Sequence, residues 1–290
     1  MSLPVAFDYH TASTVDEAIA LLQRYGDEAK VLAGGHSLIP ALKLRVGEGP
    51  AHLVDLGRIS GLSYIHEKDG AIVVGAMTTY TKIEHSHLLH QHFALLPEGT
   101  SQIGDPQVRN RGTIGGSIAH SDPAADMPGI VLALKANIKV RGAGGERVIA
   151  ADDFFTGMFE TALQPGEIVT ELQFALPPPR TGSAYQKLAN KASHYAVAGC
   201  AAVITLGGDG TCTSASVVIT GASEKPTRAS SVEAALVGHT LDEARIATAA
   251  SHAAHGLEVV SDIHGSQAYR TQMTHVMAKR AITRAAERAH

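Results

Sequence analysis

The residues with the most chemical potential gather in two short glycine-bearing stretches. The first is VLAGGHSL, where Ala33, Gly34 and Gly35 are followed by His36 and Ser37. The second is GDPQVRNRGTIGGSIAHSDPAAD, from Gly104 to Asp126, centred on Thr113, Ile114, Gly115, Gly116 and Ser117. Glycine lacks a Cβ and reaches backbone angles that let successive amides converge on an anion. Ser37, Thr113 and Ser117 add hydroxyl donors, and Arg109 and Arg111 would offset phosphate charge. Together these residues suit one diphosphate-bearing cofactor, gripped by main-chain amides from both bends. Either pair taken alone is also what an ordinary turn looks like. Neither stretch contains the GxGxxG of a dinucleotide-binding turn or the lysine of a P-loop, and GAGG at 142–145 fails the same patterns. On this reading, Gly115→Val abolishes cofactor uptake without unfolding the chain.

The elements that must position these stretches follow from local pattern. Residues 2–10 read as an entering strand. Thr14 and Glu17 form a capping box, Val15, Ala18, Ile19 and Leu22 make one apolar stripe, and Gly26 ends the helix. A strand over 30–33 delivers the first glycine pair, and residues 37–44 lead away from it. LVDLG and AIVVGAMTTY read as strands, residues 81–92 and 124–134 as helices. Residues 136–141 and 146–150 read as a hairpin, 151–159 as a short helical or looped piece, and 167–174 as a strand. The run Pro177-Pro178-Pro179 marks a boundary, because proline stiffens the chain and removes ladder donors. Beyond it, residues 183–188, 196–206 and 211–220 read as strands, the last two joined by a tight turn at 207–210. Helices follow at 231–237, 242–255 and 267–289. The layout is an α+β protein of two domains, 1–176 (with subdomains about 1–55 and 56–176) and 180–290.

Composition narrows the partners. Net charge is −4 with no basic block, Trp is absent and aromatics are only 4%, so nucleic acid is not expected. The apolar runs fall short of a membrane span, and MSLPVAFDYH lacks the pattern of a signal peptide. Cys200 and Cys212 are too few for an iron–sulfur cluster or structural zinc, and read as reduced thiols of a cytoplasmic protein. They do not face each other across the predicted hairpin. His85, His87, His90 and His92 spread around the predicted helix rather than sharing one face, so no metal site is expected.

AGGHSLIPALKLR (33–45), IGDPQVRNRGTIGGSIAHSDPAAD (103–126) and KLANKASHYAVAG (187–199) carry a family likeness over essentially the whole chain. The sequence resembles the FAD-binding medium subunits of molybdenum hydroxylases, the xanthine dehydrogenase family. AGGHSLIPALKLR is most similar to carbon monoxide dehydrogenase medium chains, a likeness shared by relatives with other substrates. The resemblance implies a two-part FAD-binding domain of the vanillyl-alcohol oxidase (PCMH) type, with a smaller C-terminal sheet-plus-helices domain. It implies that FAD is held by Ala33, Gly34, Gly35, His36 and Ser37 in one loop and by Thr113, Ile114, Gly115, Gly116 and Ser117 in the other.

By the same likeness, Asp126 falls near the ribityl and pyrophosphate region, and Lys187 and Tyr195 near the isoalloxazine ring. Ser193 and His194 stand where some relatives carry an acidic pair. On their own terms, Asp126 also suits a helix N-terminus, Lys187 a strand edge and Tyr195 a core. The implied partners are a molybdopterin-containing large subunit and an iron–sulfur small subunit, assembled as a dimer of heterotrimers. No catalytic side chain is required, because the flavin carries the redox chemistry. Two other readings compete: a stand-alone FAD-dependent oxidase acting on its own substrate, and a scaffold that keeps the fold without cofactor.

Overall fold

Apolar patterning organises three main sheets in succession along the chain, and Phe155–Gly157 pairs with Glu160–Thr161 in a further two-stranded one. They are seen in a computed structural model that describes residues 4–47 and 49–289. The first sheet is parallel, with His52–Asp55 between Asp8–Thr11 and Ala29–Leu32. The expected entering strand is therefore shorter, and residues 2 and 3 lie outside the described range. Helix Val15–Tyr25 covers this sheet with Ala18, Ile19 and Leu22. Thr14 caps it by accepting the Glu17 amide at 3.1 Å, and Glu17 reaches back to the Ser13 amide at 2.8 Å.

The second sheet is antiparallel, ordered Ile65–Lys68, Ala71–Gly75, Ile168–Ala175, Asn137–Gly142, Gly145–Ala150. Its buried face carries Ile72, Val74, Ile138, Val140, Leu172 and Phe174. Six short helices cover that face: Tyr80–Glu84, His87–His92, Leu95–Ser101, Ile114–His120, Asp126–Ala133 and Ala151–Phe154, whereas Pro106–Arg111 buries none of its residues. The single helix expected over 81–92 is thus two. Ser86 starts the second by accepting the Leu89 amide. The nearby imidazoles are spent on the break, His85 against the Thr81 carbonyl and His90 against the Glu84 carbonyl, at 2.9 and 2.8 Å.

The third sheet pairs Thr181–Ala189, Ala196–Leu206, Cys212–Thr220 and Thr227–Arg228, all antiparallel. One face packs on helix Gln267–Arg288. The other sends Tyr185, Ala201 and Val218 into the core of the second layer. Cys200 sits opposite Ile219 and Cys212 opposite Leu206, so the two buried thiols are apart. The helix expected over 242–255 ends earlier, at Ala250, and turns follow.

Cations of the third layer clasp groups of the second. Arg288 meets Glu98 at 2.6 Å, and Arg228 meets Asp152 at 2.7 Å and the Leu132 carbonyl at 3.1 Å. A fully buried large apolar side chain stabilises by about 1.5–3 kcal/mol, an exposed ion pair by about 0–1 kcal/mol. Apolar contact therefore holds the layers together, and the cations fix their register. Among the described residues, no helix is long and apolar enough to cross a membrane.

Candidate functional site

The first glycine loop connects strand Ala29–Leu32 to helix Leu38–Leu44. Among the described residues, no protein acceptor is found for the amides of Gly34, Gly35, His36, Ser37 and Leu38. Five consecutive N–H groups without a protein partner in a partly buried loop are available to an external acceptor. Gly35 has φ +77°, a left-handed step that favours glycine. The His36 imidazole turns back on its own loop, with Nδ1 3.0 Å from the Gly34 carbonyl. A Cβ on Gly34 would sit 2.1 Å from the Arg111 carbonyl oxygen and 2.9 Å from the Gly112 Cα. A Cβ on Gly116 would be 3.4 Å from that of Ala33. The two glycine stretches therefore lie against each other.

The second stretch differs from the expected amide nest. Thr113 caps helix Ile114–His120, and its Oγ1 accepts the Gly116 amide at 3.2 Å. The Ile114 amide donates to the Thr78 carbonyl, the Gly115 amide to the Ala76 carbonyl and the Ser117 amide to the Thr113 carbonyl, at 3.1, 2.9 and 3.1 Å. These donors are taken, so an anion gains little from them. The glycines here allow close packing. A Cβ on Gly115 would meet the Ala76 Cβ at 2.5 Å and its carbonyl oxygen at 2.8 Å. Gly115→Val is accordingly a packing lesion, not the clean binding test expected from the sequence.

Side chains from all three layers converge beside the first loop. The Tyr195 phenol lies beside Ser37 and Asp122, and the Tyr80 phenol beside Ser117. Burial raises both phenol pKa values, so both are neutral hydrogen-bond donors near pH 7. Burial also pushes the Asp122 carboxyl up, while the Ala124 amide and His120 pull it back. Burial lowers the His120 pKa, and its ring packs against Phe159 at 5.1 Å. Tyr80 and His120 carried no signal in sequence beyond their type. Asp122 had one, the Asp-Pro pair that opens a turn.

Three residues expected at the cofactor have other engagements. Arg109 is tied to Glu84 at 2.7 Å and to the Ile103 carbonyl at 3.1 Å, leaving Arg111 as the exposed cation near Tyr9. Asp126 is buried, with Oδ1 accepting the Tyr185 hydroxyl at 2.5 Å and Oδ2 accepting Lys187 at 2.8 Å. Burial raises its pKa, opposed by Lys187. Lys187 is neither at the surface nor free. Its side chain is 2% exposed, and its ammonium also donates to the carbonyls of Gln102 and His194, at 2.9 and 2.7 Å. All three ammonium hydrogens thus have protein acceptors. Tyr195 is 39% exposed and faces the loop, not a core.

A parallel three-stranded unit, an antiparallel five-stranded unit and a third sheet with helices, meeting at a loop of free amides, define a flavin-binding architecture. The chain belongs to the FAD-binding subunits of the molybdenum hydroxylases. Residues 5–179 match the family described as "FAD binding domain in molybdopterin dehydrogenase", and residues 183–285 match "CO dehydrogenase flavoprotein C-terminal domain". The carbon monoxide dehydrogenase medium chain of Afipia carboxidovorans is 40% identical, over 99% of both chains. The 6-hydroxypseudooxynicotine dehydrogenase complex subunit alpha of Paenarthrobacter nicotinovorans is 37% identical, over 99% of this chain and 96% of that one. A crystal structure of Cu,Mo-CO dehydrogenase superposes with a TM-score of 0.95 at 40% identity, covering 99% of both chains. The chain is thus an FAD-dependent oxidoreductase subunit.

Proposed function

We propose that this chain is the flavoprotein subunit of a molybdenum/iron–sulfur hydroxylase, and that its first glycine loop holds the diphosphate of FAD. The run of unpaired amides from Gly34 to Leu38 carries this reading. Hydrogen bonds to a charged group contribute about 1.5–3 kcal/mol each. A few such amides supply strong binding without the crowded cations the site lacks. Ser37 and Ser117 add hydroxyls, and Tyr195 offers an aromatic face and a neutral phenol at the mouth. Thr113, Ile114, Gly115, Gly116, Asp126 and Lys187 act one step removed, by packing and hydrogen bonding the walls.

FAD, when bound, supplies the redox chemistry that links iron–sulfur clusters of a partner to an external acceptor. The chain's own work is to bind, orient and shield. Near-equal identity to subunits named for carbon monoxide and for 6-hydroxypseudooxynicotine supports a chain that does not itself select the substrate. The partners are a molybdopterin-containing large subunit and an iron–sulfur small subunit, in a dimer of heterotrimers in the cytoplasm.

The purified chain is expected to be yellow, and to release its flavin on acid precipitation because the attachment is not covalent. It should stay oxidised with substrate until the partner subunits are added. A colourless protein that ignores added FAD would overturn the reading. Substrate-driven bleaching of the isolated chain would favour a stand-alone oxidase.

A further inference from the structure

The turn 190–195 reaches from the third sheet to the glycine loop, and its hold on the rest of the protein is slight. Internally it is complete. The Asn190 Oδ1 accepts the amides of Ala192 and Ser193 at 2.8 and 3.1 Å, and Asn190 and Tyr195 close the base through a backbone bond of 2.8 Å. Residues 191–194 are exposed and Tyr195 is 39% exposed, so little apolar burial anchors the turn. His194 has φ +61°, a left-handed conformation that is unfavourable for a residue with a Cβ.

Apart from the Tyr195 phenol beside Ser37 and Asp122, the anchors outside the turn are polar and few. His194 Nδ1 lies 2.8 Å from the Gly104 carbonyl, Asn190 Nδ2 lies 3.0 Å from His264, and the Lys187 ammonium donates to the His194 carbonyl at 2.7 Å. Only the last is charge-assisted and buried at its donor. A hydrogen bond to a charged group is stronger than a neutral one. The lysine bond is thus the strongest single hold on the left-handed His194.

We infer that Lys187 is the positioning residue of this turn: its ammonium ties His194 to Asp126 and Gln102, and so sets Tyr195 against Ser37 of the glycine loop. It reaches the cofactor only through Tyr195. The inference rests on the reading of this cleft as the FAD site. It makes the buried Lys187–Asp126 pair a device for shaping the cleft rather than a charge presented to the ring.

The test uses the full chain carrying Lys187→Met. Tryptic cleavage after Lys191, in the middle of the turn, is followed by mass spectrometry without FAD and normalised to cleavage after the exposed Lys68. Loss of about 1.4 kcal/mol of local protection speeds opening about tenfold, and at least that increase is expected. Unchanged relative cleavage overturns the inference. FAD titrations of Lys187→Met, Tyr195→Ala and the double variant form a cycle. Each single variant is expected to bind more weakly, and the double no more weakly than Tyr195→Ala. Additive losses show Lys187 acting on the cofactor directly and overturn the inference. Should Lys187→Met fail to fold, Lys187→Met with Asp126→Asn removes both charges and takes its place. If the unmutated chain takes up no FAD, the functional reading fails, while the tryptic measurement still decides the role of Lys187.

Discussion

Gly34→Ala separates the two glycine stretches by one methyl group, and its effect can be worked from the structure. The new Cβ would lie 2.1 Å from the Arg111 carbonyl oxygen, 2.8 Å from its carbon and 2.9 Å from the Gly112 Cα. All three are backbone atoms, so no side chain can swing aside. Restoring ordinary contact moves one stretch by more than an ångström. Overpacking of this kind costs about 1–3 kcal/mol. In a domain of 150–250 residues each kcal/mol lowers Tm by about 2–4 °C, so a fall of several degrees is expected. The shift also misaligns the adjacent amides. Losing one hydrogen bond to a charged group, about 1.5–3 kcal/mol, weakens FAD binding by about tenfold or more. Thermal unfolding without FAD and fluorescence titration with FAD read the two effects separately. Gly208→Ala is the control, since a Cβ there meets nothing within 4 Å. If Gly34→Ala matches that control in both measurements, the close approach of the stretches is not what builds the site.

Gly115→Val should lower thermal stability even without FAD, because its side chain overlaps Ala76; an unchanged Tm with lost FAD binding would restore a direct ligand role for Gly115. Asp126→Ala leaves the Lys187 ammonium buried without its counter-charge, and breaking a buried pair costs about 3–5 kcal/mol, measurable by denaturant unfolding. Asp122→Asn should stabilise the protein at neutral pH. Burial raises the native Asp122 pKa above its ordinary 3.8, so the ionised carboxylate is disfavoured in the fold once pH exceeds the native value. The variant's advantage should shrink as pH falls through the native pKa and vanish below 3.8; an advantage constant with pH would show that charge is not its source.

The first glycine loop was readable because its signals are local: a short strand, two glycines, a serine and a helix follow one another in eight or so positions. Helix Val15–Tyr25 and the hairpin at 207–210 were equally plain, from a capping box and a glycine-rich turn. The second glycine pair hid its helix, since glycine is a poor helix former and argues for a turn. Acceptors at Ala76 and Thr78, far back in the chain, turn it into a helix start. The fates of Arg109, Asp126 and Lys187 were likewise hidden. Glu84 lies 25 positions from Arg109, and Asp126 lies 61 from Lys187. No local pattern reports a pairing that only the packed layers create.

The reach of Tyr185, Ala201 and Val218 into the second layer bears on how the chain comes to be folded. During synthesis the flavin-binding half emerges first, yet the far side of helix Asp126–Ala133 has no cover until the strand ending at Thr220 has left the ribosome. Until then the nascent polypeptide carries an open greasy seam, the kind of surface that chaperones guard. Severing the gene at the three prolines would leave each fragment with that seam permanently bare, so the two halves are expected to stay soluble only when produced together.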